Sequence, residues 1–503
     1  MKYIFNDEDL SLVDRLCSIN NVNSEDLDVS AFEPDYDLEI LKKVYEELLS
    51  DKDKRFFIVG DYDCDGICST VIMTRLLNHL SISSNYYIPS RTKQGYGLNK
   101  EIIDTASKHG FDVLMCVDNG AAFNEELKYA RSLGLKTYVI DHHEYLEVPE
   151  TDCFVHPNLF SSKYNDMCAS GLSCLIASSI YEDDLNTVYG GLATLADMVS
   201  VFGYNRYLLK KMLEILKKED IIPLRYLLGK NEYSYDALSY NVIPKINAVS
   251  RLDDMMNVNY VVKYLLDNSS ECMKYLNKIE EINTSRKTLT KQMSALAERI
   301  IDPSKDMIIV RSSAFKEGLC GLIANKLMYE FGKPVLVLSE NNNELKGSGR
   351  SPKGSDLYTY LKNAEGIFKT FGGHAQAVGL SLDASAYEDL LKYVDDHSFL
   401  YDEQYKTALV YEVTSLDENL LKQIEELKPY GTDFSEPLLC IDGQYQKKYT
   451  VAGMYPKYVI NDNLEAISFN HNHLGRYFSK MLGHLKRDDY HKGKLSFVIE
   501  DLI

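Results

Sequence analysis

Tryptophan is absent from the 503 residues, and positive charge is scarce: 55 Lys and Arg stand against 75 Asp and Glu, for a formal net charge of −20. The missing Trp excludes nothing, since 37 Tyr and 18 Phe supply aromatic material. The charge deficit bears on function. Phosphate contacts need Lys and Arg, so a strong nonspecific grip on duplex DNA is excluded. The acidity is uneven: residues 1–50 carry 13 Asp and Glu against 4 Lys and Arg. The ten Cys form no CxxC pair and no Cys/His metal ladder, the nearest pairs being Cys64/Cys68 and Cys168/Cys174. Reduced thiols in a cytoplasmic protein are the expectation. The first residues, MKYIFNDEDL, show neither a basic stretch nor an apolar one, so no signal peptide is expected. No apolar run reaches the roughly 18 residues of a membrane span, and no membrane partner is expected. Internal repeats and low-complexity linkers are also absent.

What is present is ordinary globular composition, 45% hydrophobic and 26% charged, at a length that calls for about three domains. From residue 55 the pattern alternates strand and helix. Phe56–Val59, Tyr86–Ile88, Val113–Val117 and Lys136–Ile140 read as short apolar strands separated by helices. That is the pattern of a parallel sheet buried on both faces. Three strands run directly into Asp-bearing turns: Asp61-Tyr62-Asp63-Cys64-Asp65-Gly66, Asp118-Asn119-Gly120 and Asp141-His142-His143. Ligands of open parallel sheets bind beyond the carboxyl ends of the strands, so these turns should line one crevice. A mostly helical region follows. Residues 273–300 then read as one long helix with Leu276, Ile279, Ile282, Leu289, Met293 and Leu296 on one face. It would span about 40 Å, enough to connect two lobes. A second α/β unit follows from Met307, with glycine-rich stretches at Gly347–Ser351 and Phe371–His374, and the last hundred residues read as a small β domain.

Taken singly, an Asp at a strand end is most often a helix cap or a turn residue. Taken together, the carboxylates of Asp61, Asp63, Asp65, Asp118, Asp141 and Asp197 would repel one another unless cations separated them. Asp197 adds weight because it lies in an apolar helical run, Gly191–Met198, where a buried charge demands a partner. A mixed carboxylate and imidazole set suits Mn²⁺ or Mg²⁺ better than zinc. Two such ions about 3.5–4 Å apart can activate water and clamp a phosphate oxygen.

These motifs, in this order, resemble motifs I to IV of the DHH phosphoesterases. Further stretches resemble the RecJ-type exonucleases within that superfamily. These are Tyr87–Arg91 with Gly95-Tyr96-Gly97-Leu98, Lys245–Leu252, Gly372-Gly373-His374, Leu427–Gly431 with Glu436-Pro437, and the closing Val498–Asp501. The resemblance runs from about residue 50 to the C-terminus. Departures are Lys316-Glu317-Gly318-Leu319 where the family has His-x-Gly-Val, and Gly349-Arg350-Ser351 where it has Ala-Arg-Ser.

The resemblance implies an α/β protein with a DHH parallel-sheet domain and a DHHA1 α/β domain joined by a long helix, and a C-terminal β-barrel of OB-fold type. The boundaries are 1–50 for an acidic N-terminal segment, 51–270 for DHH, 271–302 for the connector helix, 303–400 for DHHA1 and 401–503 for the barrel. It implies Asp61, Asp63, Asp65, Asp118, His142 and Asp197 as ligands of two Mn²⁺ or Mg²⁺ ions, with Asp118 the bridge. His143 would meet the scissile phosphate and Asp141 would orient the histidines. Arg91, Arg251, Ser348, Arg350 and His374 would hold substrate phosphates, and Gly347, Gly349, Gly372 and Gly373 would let backbone approach them. The implied activity is a 5′→3′ exonuclease on single-stranded DNA that releases 5′-mononucleotides, with a single-strand-binding protein or helicase as a further partner. The alternatives are a DHH phosphodiesterase acting on short oligonucleotides or cyclic dinucleotides, and a non-catalytic DHH-fold DNA-binding protein.

Overall fold

The computed structural model describes residues 2–399, 405–488 and 493–503. The chain divides into two compact units. The larger begins at Phe32 and holds both α/β lobes.

In the first lobe, five strands form a wholly parallel sheet: β1 (Phe56–Val59), β2 (Ser84–Tyr87), β3 (Val113–Val117), β4 (Lys136–Ile140) and β5 (Cys153–Val155). Their order is β2-β1-β3-β4-β5. Every residue of β1 and β3 is buried, as expected of strands covered on both faces. The strand order reverses between β1 and β3, and ligands of such sheets bind at that switch point. The turns carrying Asp61–Asp65 and Asp118 leave these two strands.

Helix α1 (Cys64–His79) starts five residues before the apolar periodicity first shows it, at Ser69, because Asp63 is its N-cap and accepts from the N–H groups of Asp65 and Gly66. Helix α2 (Ala169–Ser178) and helix α3 (Asp184–Ala196) pack against α1. Asp197 does not lie within a helix. It is the C-cap of α3, half-buried, followed by Met198 at φ 58°. Helix α4 (Ile243–Arg251) leads toward the connector, helix α5 (Met273–Ile300), a single span of 28 residues.

In the second lobe, β6 (Ile308–Ser312) pairs parallel with β7 (Val335–Asn341). Antiparallel β8 (Glu344–Arg350), β9 (Thr370–His374) and β10 (Ala377–Asp383) complete the order β9-β10-β8-β7-β6. Helix α6 (Cys320–Phe331) covers β7 and β8. Both glycine-rich stretches are therefore strands. Their glycines mostly serve packing and not an approach to phosphate: a Cβ at Gly347 would lie 1.9 Å from the Val337 carbonyl oxygen, and one at Gly373, 2.2 Å from that of Ala377. Gly349 is filled around by Val378 and Leu357, and only Gly372 of the four faces open space.

The smaller unit holds an eight-stranded mixed sheet in the order Lys2–Asn6, Tyr405–Val410, Leu438–Asp442, Lys480–Arg487, Leu495–Leu502, Leu464–Ser468, Tyr455–Val459, Lys447–Val451. The acidic N-terminal segment, expected over 1–50, divides between the two units after Ala31. Lys2–Asn6 pairs parallel with Tyr405–Val410 at the sheet edge, and the chain up to Ala31 stays in this unit. Arg15 anchors it, only 4% exposed, with its guanidinium on Asn6 and over the Tyr411 ring at 4.9 Å. Among the described residues no helix is long and apolar enough to cross a membrane.

Candidate metal centre and arginine cluster

The turn after β3 is shaped by three consecutive residues. Asp118 sits at φ 61°, a left-handed conformation that costs a non-glycine residue about 1–3 kcal/mol and persists only where its surroundings hold it. Here its N–H donates to the Ile140 carbonyl at 3.0 Å. Asn119, fully buried, donates from Nδ2 to the carbonyls of Val59 at 3.0 Å and Val117 at 2.9 Å, tying the ends of β1 and β3 together. Gly120 follows at φ 112°, packed on Cys116 and Val139. The turn after β1 is equally constrained, since a Cβ at Gly66 would lie 2.4 Å from the Asp61 backbone.

Together these turns bring the side chains into one cluster. His142 Nε2 lies 3.3 Å from Asp118 Oδ1, 3.6 Å from Asp197 Oδ2 and 3.7 Å from Asp65 Oδ2. Three sets of donor atoms each fit within 4.8 Å: Asp118, His142 and His143; Asp65, His142 and Asp197; Asp61, Asp63 and Asp118. Asp65 has a second duty. Its two oxygens accept from the N–H groups of Ala169 and Ser170 at 2.8 Å each, at the N-terminus of α2, where the helix dipole favours an anion.

Electrostatics mark the cluster as under strain. Burial, then Asp65, Asp63, Asp61 and Asp197, push Asp118 well above the carboxylate range. Burial and Asp63 do the same to Asp61, burial and Asp65 raise Asp63, and burial with Asp65 and Asp63 carries Asp197 to about 9. Asp141 is the exception. Burial raises it, but the His143 hydrogen bond and charge outweigh that and leave it at about 2. Burial lowers His143, and Asp141, 2.8 Å from its Nδ1, overrides this to about 9. His142 is pushed down, chiefly by burial.

A divalent cation fits this set. The buried Asp61 Oδ1 and Asp118 Oδ1 have no hydrogen-bond partner. Unpaired buried carboxylate oxygens are costly unless a cation is at hand, and the donors are hard oxygens with one or two imidazoles.

The arginines gather beside the carboxylates. Arg251, at the end of α4, is held down at about 9 by burial and by Arg91, Arg350 and Arg286, with Asp63 acting in the other direction. Arg350 is lowered by burial and Arg91, and Arg286, on α5, by burial. None of the four forms an ion pair with a carboxylate among the described residues. Arg91 lies over the Tyr62 ring at 4.9 Å. Ser348 and Arg350 share a face of β8 toward the first turn of α6, where a Cβ at Gly321 would meet Arg350 Nη2 at 3.0 Å and Ser348 Cβ at 3.6 Å. His374 is exposed at the end of edge strand β9, in register with Arg350 across Ala377 of β10, its Nδ1 accepting from the Gln376 N–H.

Sequence reading did not single out four of the residues that shape the site. Tyr96 donates to the Asp118 carbonyl at 3.2 Å, with its oxygen 3.0 Å from His143 Nδ1. His156, buried, has Nε2 3.2 Å from the His143 carbonyl, and its Nδ1 accepts from the Asn158 N–H. Arg286 and Asp253 are the others. Tyr96 lies inside a motif already quoted. Nothing in the sequence distinguishes Arg286 from any polar residue of an amphipathic helix.

Comparison with known proteins gives the class. Residues 55–199 match the DHH family, N-terminal domain, and residues 304–397 match the DHHA1 domain. The two α/β lobes are thus a DHH domain and a DHHA1 domain. Its relatives include the single-stranded-DNA-specific exonuclease RecJ of Bacillus subtilis, 28% identical over 411 residues covering 77% of this chain and 52% of the relative. RecJ of Escherichia coli is 27% identical over 438 residues, 78% of this chain and 75% of the relative. The chain thus spans about half the length of the first and three quarters of the second. The fold is that of RecJ of Thermus thermophilus in complex with Mn²⁺: TM-score 0.84 at 21% identity, over 100% of this chain and 79% of the other.

Proposed function

We propose that the chain is a metal-dependent exonuclease that degrades single-stranded DNA from the 5′ end and releases 5′-mononucleotides. The observation that carries this is the adjacency of two clusters of opposite sign: crowded carboxylates at the sheet's switch point, and beside them Arg91, Arg251, Arg286 and Arg350, none paired with a carboxylate. The first fits cations and the second fits phosphates, and a phosphodiester backbone satisfies both.

Asp61, Asp63, Asp65, Asp118, His142 and Asp197 would hold two Mn²⁺ or Mg²⁺ ions, with Asp118 common to both. When bound, the ions supply Lewis acidity at the phosphate and make water nucleophilic at neutral pH. His143 would meet the scissile phosphate, its ring fixed by Asp141 and Tyr96 and its backbone carbonyl by His156, and would stabilise the charge that develops there. Arg91, Arg350 and Ser348 would receive the 5′-phosphate, with guanidinium forks matched to its oxygens, while Arg251 and His374 would hold later phosphates. The 5′→3′ polarity rests on the resemblance to the RecJ-type exonucleases. A single-strand-binding protein or helicase, and a cytoplasmic setting, go with this activity; the ten free thiols support the compartment.

The test is a 3′-labelled, 5′-phosphorylated single-stranded DNA incubated with Mn²⁺, with EDTA, and with the Asp118→Ala variant. A ladder shortening from the 5′ end, present only with Mn²⁺ and lost in the variant and on duplex, supports the reading. An intact long strand together with hydrolysis of di- and trinucleotides or cyclic dinucleotides would replace it with the short-substrate activity.

A further inference from the structure

Arg91 lies in a loop without regular secondary structure, yet its guanidinium bears on those of both Arg251 and Arg350. A loop does not hold a long charged side chain in such company unaided, because rotamer entropy and like-charge repulsion both oppose it. The structure shows what holds it. Asn259 pairs with Ile88 as a neighbouring strand would: Oδ1 accepts the Ile88 N–H at 2.8 Å, and Nδ2 donates to its carbonyl at 3.0 Å. Asp253 grips the residues on either side of Arg91. Its Oδ2 accepts from Ser90 Oγ at 2.6 Å and from the Thr92 N–H at 3.1 Å, and its Oδ1 accepts from Thr92 Oγ1 at 2.8 Å. Gln94 finishes the loop from within, accepting from the Ser90 N–H and the Tyr87 hydroxyl.

The segment that supplies these clamps also carries Arg251, two residues before Asp253. Arg251 is itself fixed from the second lobe, since a Cβ at Gly318 would lie 2.2 Å from its carbonyl oxygen. Lys316, two residues earlier, pairs with Asp254 at 2.7 Å. Residues 251–259 thus tie the Arg91 loop to one side and the second lobe to the other. Asp253 accepts three hydrogen bonds and forms no ion pair with an arginine. It organises Arg91 without neutralising it.

We infer that Asp253 and Asn259 are positioning residues that set the separation of Arg91 and Arg251, and that this separation gives the site its preference for a terminal phosphate. The inference rests on the function proposed above. An Asn at 253 would not substitute fully: with its one acceptor oxygen kept on Ser90 Oγ and the Thr92 N–H, its NH₂ would take the place of the oxygen that accepts from Thr92 Oγ1, and the charge that strengthens all three bonds would be gone.

The test measures binding of short single-stranded DNA with a 5′-phosphate or a 5′-hydroxyl to the full chain in EDTA, so that no cleavage intervenes. The wild type should prefer the phosphorylated end. Asp253→Ala should reduce that preference about tenfold, the order of loss expected from misplacing a binding group by a fraction of an ångström, with Asp253→Asn in between. Arg91→Ala should remove it, and Asp253→Ala should then cost nothing further. In turnover with Mn²⁺, the loss should fall on KM for the phosphorylated substrate. Should Asp253→Ala not fold, Ser90→Ala with Thr92→Val removes the hydroxyl donors instead and carries the same expectation. A preference left intact, an equal loss at both ends, or additive effects of the two substitutions would overturn the inference alone. A wild type that binds neither oligonucleotide and shortens none would overturn the function, and the inference with it.

Discussion

Asn119 Nδ2 donates to the Val59 carbonyl at 3.0 Å, and this one bond joins the strand that delivers Asp61, Asp63 and Asp65 to the strand that delivers Asp118. The same nitrogen donates to the Val117 carbonyl. Asn119→Ala should lower stability by about 1–3 kcal/mol, the cost of leaving buried carbonyls unpaired. Asn119→Asp should cost more, because it sets a carboxylate against two carbonyl oxygens. Urea unfolding of the three proteins in EDTA checks the order. Equal midpoints would show that the sheet alone holds the strand ends.

Asp118 is expected to trade stability for metal binding. Without cations its carboxylate is opposed by burial and by Asp65, Asp63, Asp61 and Asp197. Asp118→Asn should therefore raise the melting temperature in EDTA while removing most of the rise that Mn²⁺ gives the wild type. At a hundredfold excess over Kd that rise corresponds to about 2.7 kcal/mol. A thermal-shift titration reads both. A variant that melts lower in EDTA and still responds fully to Mn²⁺ would contradict the assignment.

The site was legible in the sequence where chemistry and periodicity coincide. Phe56–Val59, Val113–Val117 and Lys136–Ile140 are apolar runs ending in Asp, so both the sheet and its loaded edge could be read from them. The glycine-rich strand Glu344–Arg350 was not, because glycine is a poor strand former and its reason for being there is a carbonyl 1.9 Å from an absent Cβ. The pairing of Lys2–Asn6 with Tyr405–Val410 was hidden for another reason: a contact across some four hundred residues leaves no periodic trace. Asp253 and Arg286 were illegible because each is one polar residue among many until the fold brings its partners to it.

Glu500 gives the smaller unit a pH dependence of its own. The His484 hydrogen bond and Lys406 hold it at about 2 against the opposing effect of burial, from an ordinary 4.5. A depressed carboxylate contributes stability that is fully present above its unfolded value and is lost as pH falls from about 4.5 toward about 2. Glu500→Gln should flatten that part of the acid limb while matching the wild type in slope above it. Urea midpoints at several pH values check this, and an unchanged acid limb would remove Glu500 from the account.

Arg286 provides the sharpest separation between a structural and a ligand-binding guanidinium. Its Nε and Nη2 donate to Asn283 Oδ1 at 3.1 and 3.0 Å, a contact within its own helix that asks nothing of the rest of the fold. Burial lowers its pKa, and its charge in turn depresses that of Arg251. If the charge served stability, Arg286→Met would destabilise the chain. It should instead leave stability unchanged or raise it, by easing repulsion among the arginines. Binding of single-stranded DNA in EDTA should weaken, and the slope of log affinity against log salt should fall by about one phosphate contact, roughly 0.7 for a single strand. Arg286→Lys should restore most of the slope but only part of the affinity, since an ammonium keeps the charge and lacks the fork. A salt slope identical in all three proteins would place Arg286 outside the path of the strand.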